Sequence, residues 1–153
     1  MSPEIKPEWT MIQNIFEEHI AFNFLIGFKT QHISQSEVVI SFEHKPELHG
    51  NPVHKILHGG VISTALDSVG GMMALVAIVA EQQCVIADDW KKIMRNLGTI
   101  DLRVDFLRPG RGQLFSARSE ILRKGNKIAV TRMELHNESN DLIAVGTGTY
   151  LVG

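Results

Sequence analysis

Two features carry residue types from which chemistry could be built. One is His58-Gly59-Gly60, and the other is Asp67, the single charge in the apolar run from Gly59 to Ala80. A run of this length that is apolar on every side reads as a helix enclosed by protein or lipid. The start of such a helix leaves backbone N–H groups unpaired and a partial positive charge, which suits an oxyanion or a polarised carbonyl. Gly59 and Gly60 lack side chains, so a substrate carbonyl can approach the backbone there. The implied chemistry is an oxyanion hole, worth about 3 to 4 kcal/mol per donor. A flexible helix entry is the plainer reading of the same glycine pair.

Asp67 lies about 12 Å along the helix axis from Gly59, at 1.5 Å per residue, too far to reach a carbonyl held at that helix's own N-terminus. If both residues serve one site, a second copy of the chain must supply one of them. Two antiparallel central helices about a two-fold axis would create two equivalent sites. Gly70, Gly71, Ser68 and Ala74 are small enough to permit such an approach, against about 1 kcal/mol of helix propensity per glycine. The alternative for Asp67 is a buried aspartate hydrogen-bonded to Ser or Thr.

The elements that must position these groups follow from the periodicity. Residues 8 to 20 place Trp9, Ile12, Ile15, Phe16 and Ile20 at helical spacing, predicting a short amphipathic helix. Residues 27 to 33 and 37 to 43 read as a hairpin of two strands. Residues 44 to 57 hold two prolines and a Gly-Asn-Pro turn signal, and form a loop delivering the chain to His58. After the long helix, Asp88 or Asp89 could cap a short helix with Trp90, Ile93, Met94 and Leu97 on one face. It would act as a surface helix, or as a wall for an apolar ligand. From Thr99 the period becomes two, with Ile100, Leu102, Val104 and Phe106 on one face and Thr99, Asp101, Arg103 and Asp105 on the other. Strands over 113 to 123, 127 to 136 and 142 to 152 complete the chain. The expected fold is α+β: a curved, mainly antiparallel sheet of about six strands wrapped around the helix at 60 to 80, with an N-terminal helix.

At 153 residues the chain reads as a single domain, 1–153. A hydrophobic share of 44% and a charged share of 21% are ordinary for a globular protein. A net charge of -2 argues against nucleic acid or an anionic membrane surface as partner. One cysteine, Cys84, leaves no disulfide framework and no CxxC pair. The N-terminal residues lack a basic and an apolar region of the secretory kind, so a cytoplasmic location is expected. The run from Gly59 is long enough to raise a membrane span, but Asp67, Gly70-Gly71 and the strand-like segments beyond it argue for a helix inside a sheet.

Asn51-Pro52, His58-Gly59-Gly60-Val61-Ile62 with Asp67 nine residues after the histidine, and Gly98 to Gly110 together resemble a hotdog-fold thioesterase of the PaaI type. The chain is particularly similar to the bacterial YigI-like acyl-CoA thioesterase branch, and the likeness extends to Arg123-Lys-Gly-Asn-Lys127 and Glu134-Leu-His-Asn-Glu138. The resemblance implies an acyl-CoA thioesterase of fatty acid metabolism, acting as a dimer or dimer of dimers with each site at a subunit interface. Position by position, it makes Asp67 the catalytic carboxylate, as base or nucleophile, and Gly59 the backbone donor to the thioester oxygen. It makes His58 the residue that shapes the loop, and Thr99 the hydroxyl that orients water or carboxylate. Asn51 matches the family's upstream asparagine. Gly60 would line the substrate.

Thioester hydrolysis by a carboxylate and one oxyanion hole requires neither metal nor cofactor. His44, His49, His54 and His58 lack the spacing of a metal framework. Arg108 and Arg111, at a strand end, suit the phosphates of CoA, or lie on a solvated turn. The apolar helix, Met72, Met73 and the segment over 81 to 98 point to a medium or long acyl chain. A non-catalytic acyl-CoA or lipid-binding module is the alternative on the same fold. A dehydratase of this fold fits less well, since its base is usually a histidine facing an acidic residue on the helix.

Overall fold

The computed structural model describes residues 6–81 and 90–153. Its frame is one six-stranded sheet in the order β1-β2-β4-β5-β6-β3, with every neighbouring pair antiparallel. The strands are β1 (Lys29–Ile33), β2 (Val38–Glu43), β3 (Gly98–Phe106), β4 (Leu114–Lys124), β5 (Ile128–Asn137) and β6 (Leu142–Leu151). The central helix, which we number α3 after the two short N-terminal helices below, spans Gly59–Glu81.

The sheet curls around α3 because α3 is the only described helix apolar on nearly every side. Leu66, Val69, Met72, Met73, Leu75 and Val76 are buried against inward residues of the strands, among them Phe42, Phe115, Met133 and Leu135. By length and composition alone α3 could cross a membrane, yet two thirds of its most apolar window is buried inside the protein. The result is the hotdog arrangement that the resemblance implies.

Several local expectations are corrected. The single helix over 8 to 20 is instead α1 (Pro7–Asn14), a π-helical turn at Ile15–His19, and α2 (Ala21–Ile26). The break falls at Ile20, whose backbone is extended at φ -91 and ψ 99. Asn23, buried within α2, donates to Phe16 O at 3.1 Å and accepts from Ser68 Oγ at 2.9 Å, tying the helical segment to α3. Gly27 then ends α2 in the left-handed conformation at φ 88, as helix C-termini favour.

The glycines of α3 serve the protomer's own core rather than a neighbouring helix. A Cβ on Gly70 would lie 2.3 Å from the Tyr150 hydroxyl and 2.9 Å from Thr131 Oγ1. Ser68 is bonded to Asn23 and Ala74 is fully buried. Gly70 and Gly71 therefore face inward to seat Tyr150, while Ser68 faces α2. Met72 and Met73 are likewise fully enclosed in the core.

Helix α4 (Trp90–Asn96) packs Trp90, Ile93 and Met94, with Leu97 beyond its end, against the core, and Trp90 stacks on His19 with ring centroids 5.1 Å apart. Its expected cap at Asp88 or Asp89, and Cys84, lie outside the described residues.

Candidate active site

The N-terminus of α3 is held open by backbone bonds from a preceding loop. Leu57 N donates to Gly110 O and His58 N to Leu48 O, so the approach to the helix is stitched both to the β3–β4 loop and to the short 3-10 turn at Pro46–Leu48. Gly110 is required there by contact: a Cβ would lie 2.8 Å from that of Leu57. His58 then caps the helix with its own ring, Nδ1 accepting from Gly60 N at 2.8 Å, while its carbonyl accepts from Val61 N and Ile62 N. An accepting Nδ1 carries no proton, so in this arrangement the imidazole is neutral with its proton on Nε2.

This leaves Gly59. Among the described residues its N–H donates to no protein group, whereas the Gly60 N–H is taken by His58. Of the two glycines, only Gly59 therefore offers a free helix-end donor, the geometry that oxyanion stabilisation requires. The Phe106 ring packs on the side of Gly59 where a Cβ would stand, 3.4 Å from that position.

Asp67 sits half-buried farther along α3 and is fixed from two sides. Thr99 Oγ1, on β3, donates to Oδ1 at 2.9 Å, and the Tyr150 hydroxyl, on β6, donates to Oδ1 at 3.3 Å and to the Asp67 carbonyl at 3.1 Å. Oδ2 accepts from no protein donor among the described residues. Burial, then the neighbouring Asp67 charge and its hydrogen bond, push the Tyr150 phenol far up, against a smaller opposing effect from Thr131. Tyr150 thus remains a neutral donor at physiological pH. A carboxylate with one oxygen clamped and one open is set to take a proton from water or to attack a carbonyl.

The position of Thr99 corrects the strict alternation. A one-residue irregularity at Ile100 pairs Thr99 with Tyr150 but Asp101 with Thr149, which resets the pleat. Thr99 thereby joins Leu102 and Val104 on the helix-facing side. Ile100 and Phe106, expected on that buried face, are 56% and 55% exposed. Both lie on β3, which has an unpaired edge.

The remaining candidates are dispersed. Asn51 is exposed, and its Oδ1 accepts from Val53 N at 2.9 Å and His54 N at 3.1 Å, closing a turn in its own loop. Arg108 is exposed and donates to Leu142 O at 2.9 Å. Arg111 instead lines a pocket with His44, His49 and His54. No cluster of three metal-ligating side chains exists among the described residues.

Sequence reasoning missed two parts of this region. The first is Tyr150, at a β6 position that carries no signal apart from Gly148 and Gly70, whose missing side chains give its ring room. The second is α2. With Leu48 and Val61, its Phe22, Leu25 and Ile26 wall an apolar groove of about 620 Å3 that runs to Gly60 and His58. The left-handed Gly27 was the one available sign of a helix end there.

Relatives agree with this architecture. Residues 54–144 match the model of the thioesterase superfamily. The chain is 41% identical to the medium/long-chain acyl-CoA thioesterase YigI of Escherichia coli K12, over 94% of this chain and 92% of that one. A crystal structure from Shewanella oneidensis related to the thioesterase superfamily superposes with a TM-score of 0.88 at 44% identity, covering 94% of each chain. A thioesterase family protein from Silicibacter pomeroyi shares the fold at 20% identity, with a TM-score of 0.74 over 95% of this chain and 98% of its own. With a family model spanning the loop before His58, all of α3 and most of the sheet, the chain belongs to the thioesterase superfamily.

Proposed function

We propose that this protein hydrolyses medium- to long-chain acyl-CoA to free fatty acid and CoA, in the cytoplasm, as a homodimer or dimer of dimers with composite active sites. The observation that carries the reading is the free Gly59 N–H, flanked in sequence by His58 and Gly60, both of which line an apolar groove. A thioester carbonyl seated on that donor leaves the acyl chain facing Phe22, Leu25 and Val61. The groove's volume lies within the usual range for small-molecule sites. The similarity to YigI supports the same substrate class.

In this mechanism the thioester oxygen accepts from Gly59 N–H, and the partner subunit's Asp67 attacks from the other half of the site. As a base, the carboxylate takes a proton while the water oxygen adds to the carbonyl. Collapse of the tetrahedral oxyanion expels the CoA thiolate, which recovers the proton. As a nucleophile, the carboxylate adds to the carbonyl and displaces the CoA thiolate, and water then opens the resulting acyl anhydride to fatty acid and free carboxylate, its released proton going to the thiolate. Single-turnover hydrolysis in 18O-labelled water tests the nucleophilic route, since label in Asp67 requires an anhydride that water opens at the Asp67 carbon. The unpaired β3 edge, with Ile100 and Phe106 exposed, supports pairing between copies.

Steady-state assays over CoA esters of graded length test the proposal. We expect kcat/KM to rise from short to medium and long chains. A preference for short or hydroxylated aromatic acyl groups overturns the chain-length assignment, and absence of turnover on every ester overturns the activity.

A further inference from the structure

Beside the apolar groove lies a second pocket of about 330 Å3, and Lys45 lines both. The second pocket gathers His44, Lys45, His49, His54, Lys55 and Arg111, and none of its lining residues is acidic. In a chain of net charge -2, that is a local concentration of positive charge. The nearest carboxylate on its Gly112 wall, Glu138, is engaged by the backbone N–H groups of Gln113 and Leu114.

The pocket is built into the active-site scaffold. Its 44–49 wall runs through the 3-10 turn whose Leu48 carbonyl accepts from His58 N. The opposite wall is fixed where Asn137 Nδ2 donates to Arg111 O at 2.9 Å and Arg111 N to Pro109 O at 2.8 Å. Lys45 Nζ donates to Leu25 O at 2.9 Å, which holds the ammonium at the boundary between groove and pocket. Lys55 sits at φ 48, a left-handed conformation uncommon for a residue with a side chain, in the turn that Asn51 closes.

We propose that this pocket binds the phosphates of the nucleotide end of CoA, with Arg111, Lys55 and Lys45 as the permanent charges and His54 and His49 as ring donors. Guanidinium and ammonium groups suit phosphate oxygens by charge and by hydrogen bonding. The inference rests on the acyl-CoA reading above and sharpens it: the acyl chain and the nucleotide occupy adjoining spaces divided by Lys45. It assigns phosphate recognition to Arg111 and not to Arg108.

The test compares octanoyl-CoA with octanoyl-N-acetylcysteamine, the same thioester without phosphates. The kcat/KM ratio of CoA ester to truncated ester is expected to fall about tenfold or more in Lys55→Ala/Arg111→Ala, and to fall for wild type in about 0.5 M salt as screening sets in. Lys55→Glu, a charge reversal at an exposed position, should lower the ratio further than Lys55→Ala. An unchanged ratio in both variants overturns the proposal. If wild type hydrolyses neither ester, the thioesterase reading fails on its own, and calorimetric titration with adenosine 3′,5′-bisphosphate decides the pocket. Binding that weakens about tenfold in the double variant supports it, and no binding by wild type overturns it.

Discussion

Thr99 Oγ1 donates to Asp67 Oδ1 at 2.9 Å from a strand position that regular alternation would turn away from the helix. The irregularity at Ile100 makes the contact possible, and Tyr150 completes the clamp from the neighbouring strand. The site is thus assembled by β3, β6 and α3 together.

Removing either donor should loosen the carboxylate. Thr99→Val is expected to lower kcat about tenfold with little change in KM, the scale of one hydrogen bond to a charged group. Tyr150→Phe should do the same and also cost about 1 kcal/mol of stability, because the hydroxyl is buried. Since both bonds end on one oxygen, the double variant should lose less or more than the sum of the two. Stopped-flow kinetics and thermal melts check this, and wild-type kcat in both single variants counts against the clamp.

Gly59→Pro deletes the proposed oxyanion donor at the first helical position, where proline's fixed φ is tolerated. We expect a loss of about a hundredfold or more in kcat with the fold retained by circular dichroism. Mixing this variant with Asp67→Ala, each inactive alone, should restore about a quarter of wild-type activity after subunit exchange, one intact site in half of the dimers. No recovery after verified exchange would place both groups in one chain's site.

The two helix glycines should respond differently. Gly70→Ala puts a Cβ 2.3 Å from the Tyr150 hydroxyl, so overpacking is expected to cost about 1 to 3 kcal/mol and to disturb Asp67 through Tyr150. Gly71→Ala meets Tyr150 Cε1 at an ordinary 3.5 Å and gains helix propensity of up to about 1 kcal/mol. Chemical denaturation separates them; equal effects would mean that the glycines' role is not to seat Tyr150.

Acid stability should report Glu17. Burial raises its pKa, but hydrogen bonds from Thr30, Lys29 and Gln13 outweigh burial and hold it below the ordinary 4.5. A lowered folded-state pKa means that the stabilisation is fully present above 4.5 and is lost as pH falls below 4.5 through the folded value. Glu17→Gln is therefore expected to flatten the pH dependence of unfolding in that range, measured by urea denaturation from pH 6 downward. An unaltered slope would remove Glu17 from the acid transition.

The sequence by itself determined the architecture and the axis of the site. Alternation in the last four strands and the all-round apolarity of α3 leave a sheet wrapped around a helix as the packing that buries both. Helix rise alone separates Gly59 from Asp67. Tertiary structure decided what each residue touches. Which glycine amide stays free depends on where the His58 ring folds back. Which face Thr99 takes depends on one extra residue in β3, and register of this kind arises from pairing between strands distant in sequence. The small residues of α3 read equally well as a helix–helix seam or as room for an aromatic ring, until β6 brings Tyr150 against Gly70. The apolar groove and the basic pocket were not legible for the same reason. Each draws its walls from segments far apart in the chain, α2 and the start of α3 for one, the 44–55 loop and Arg111 for the other.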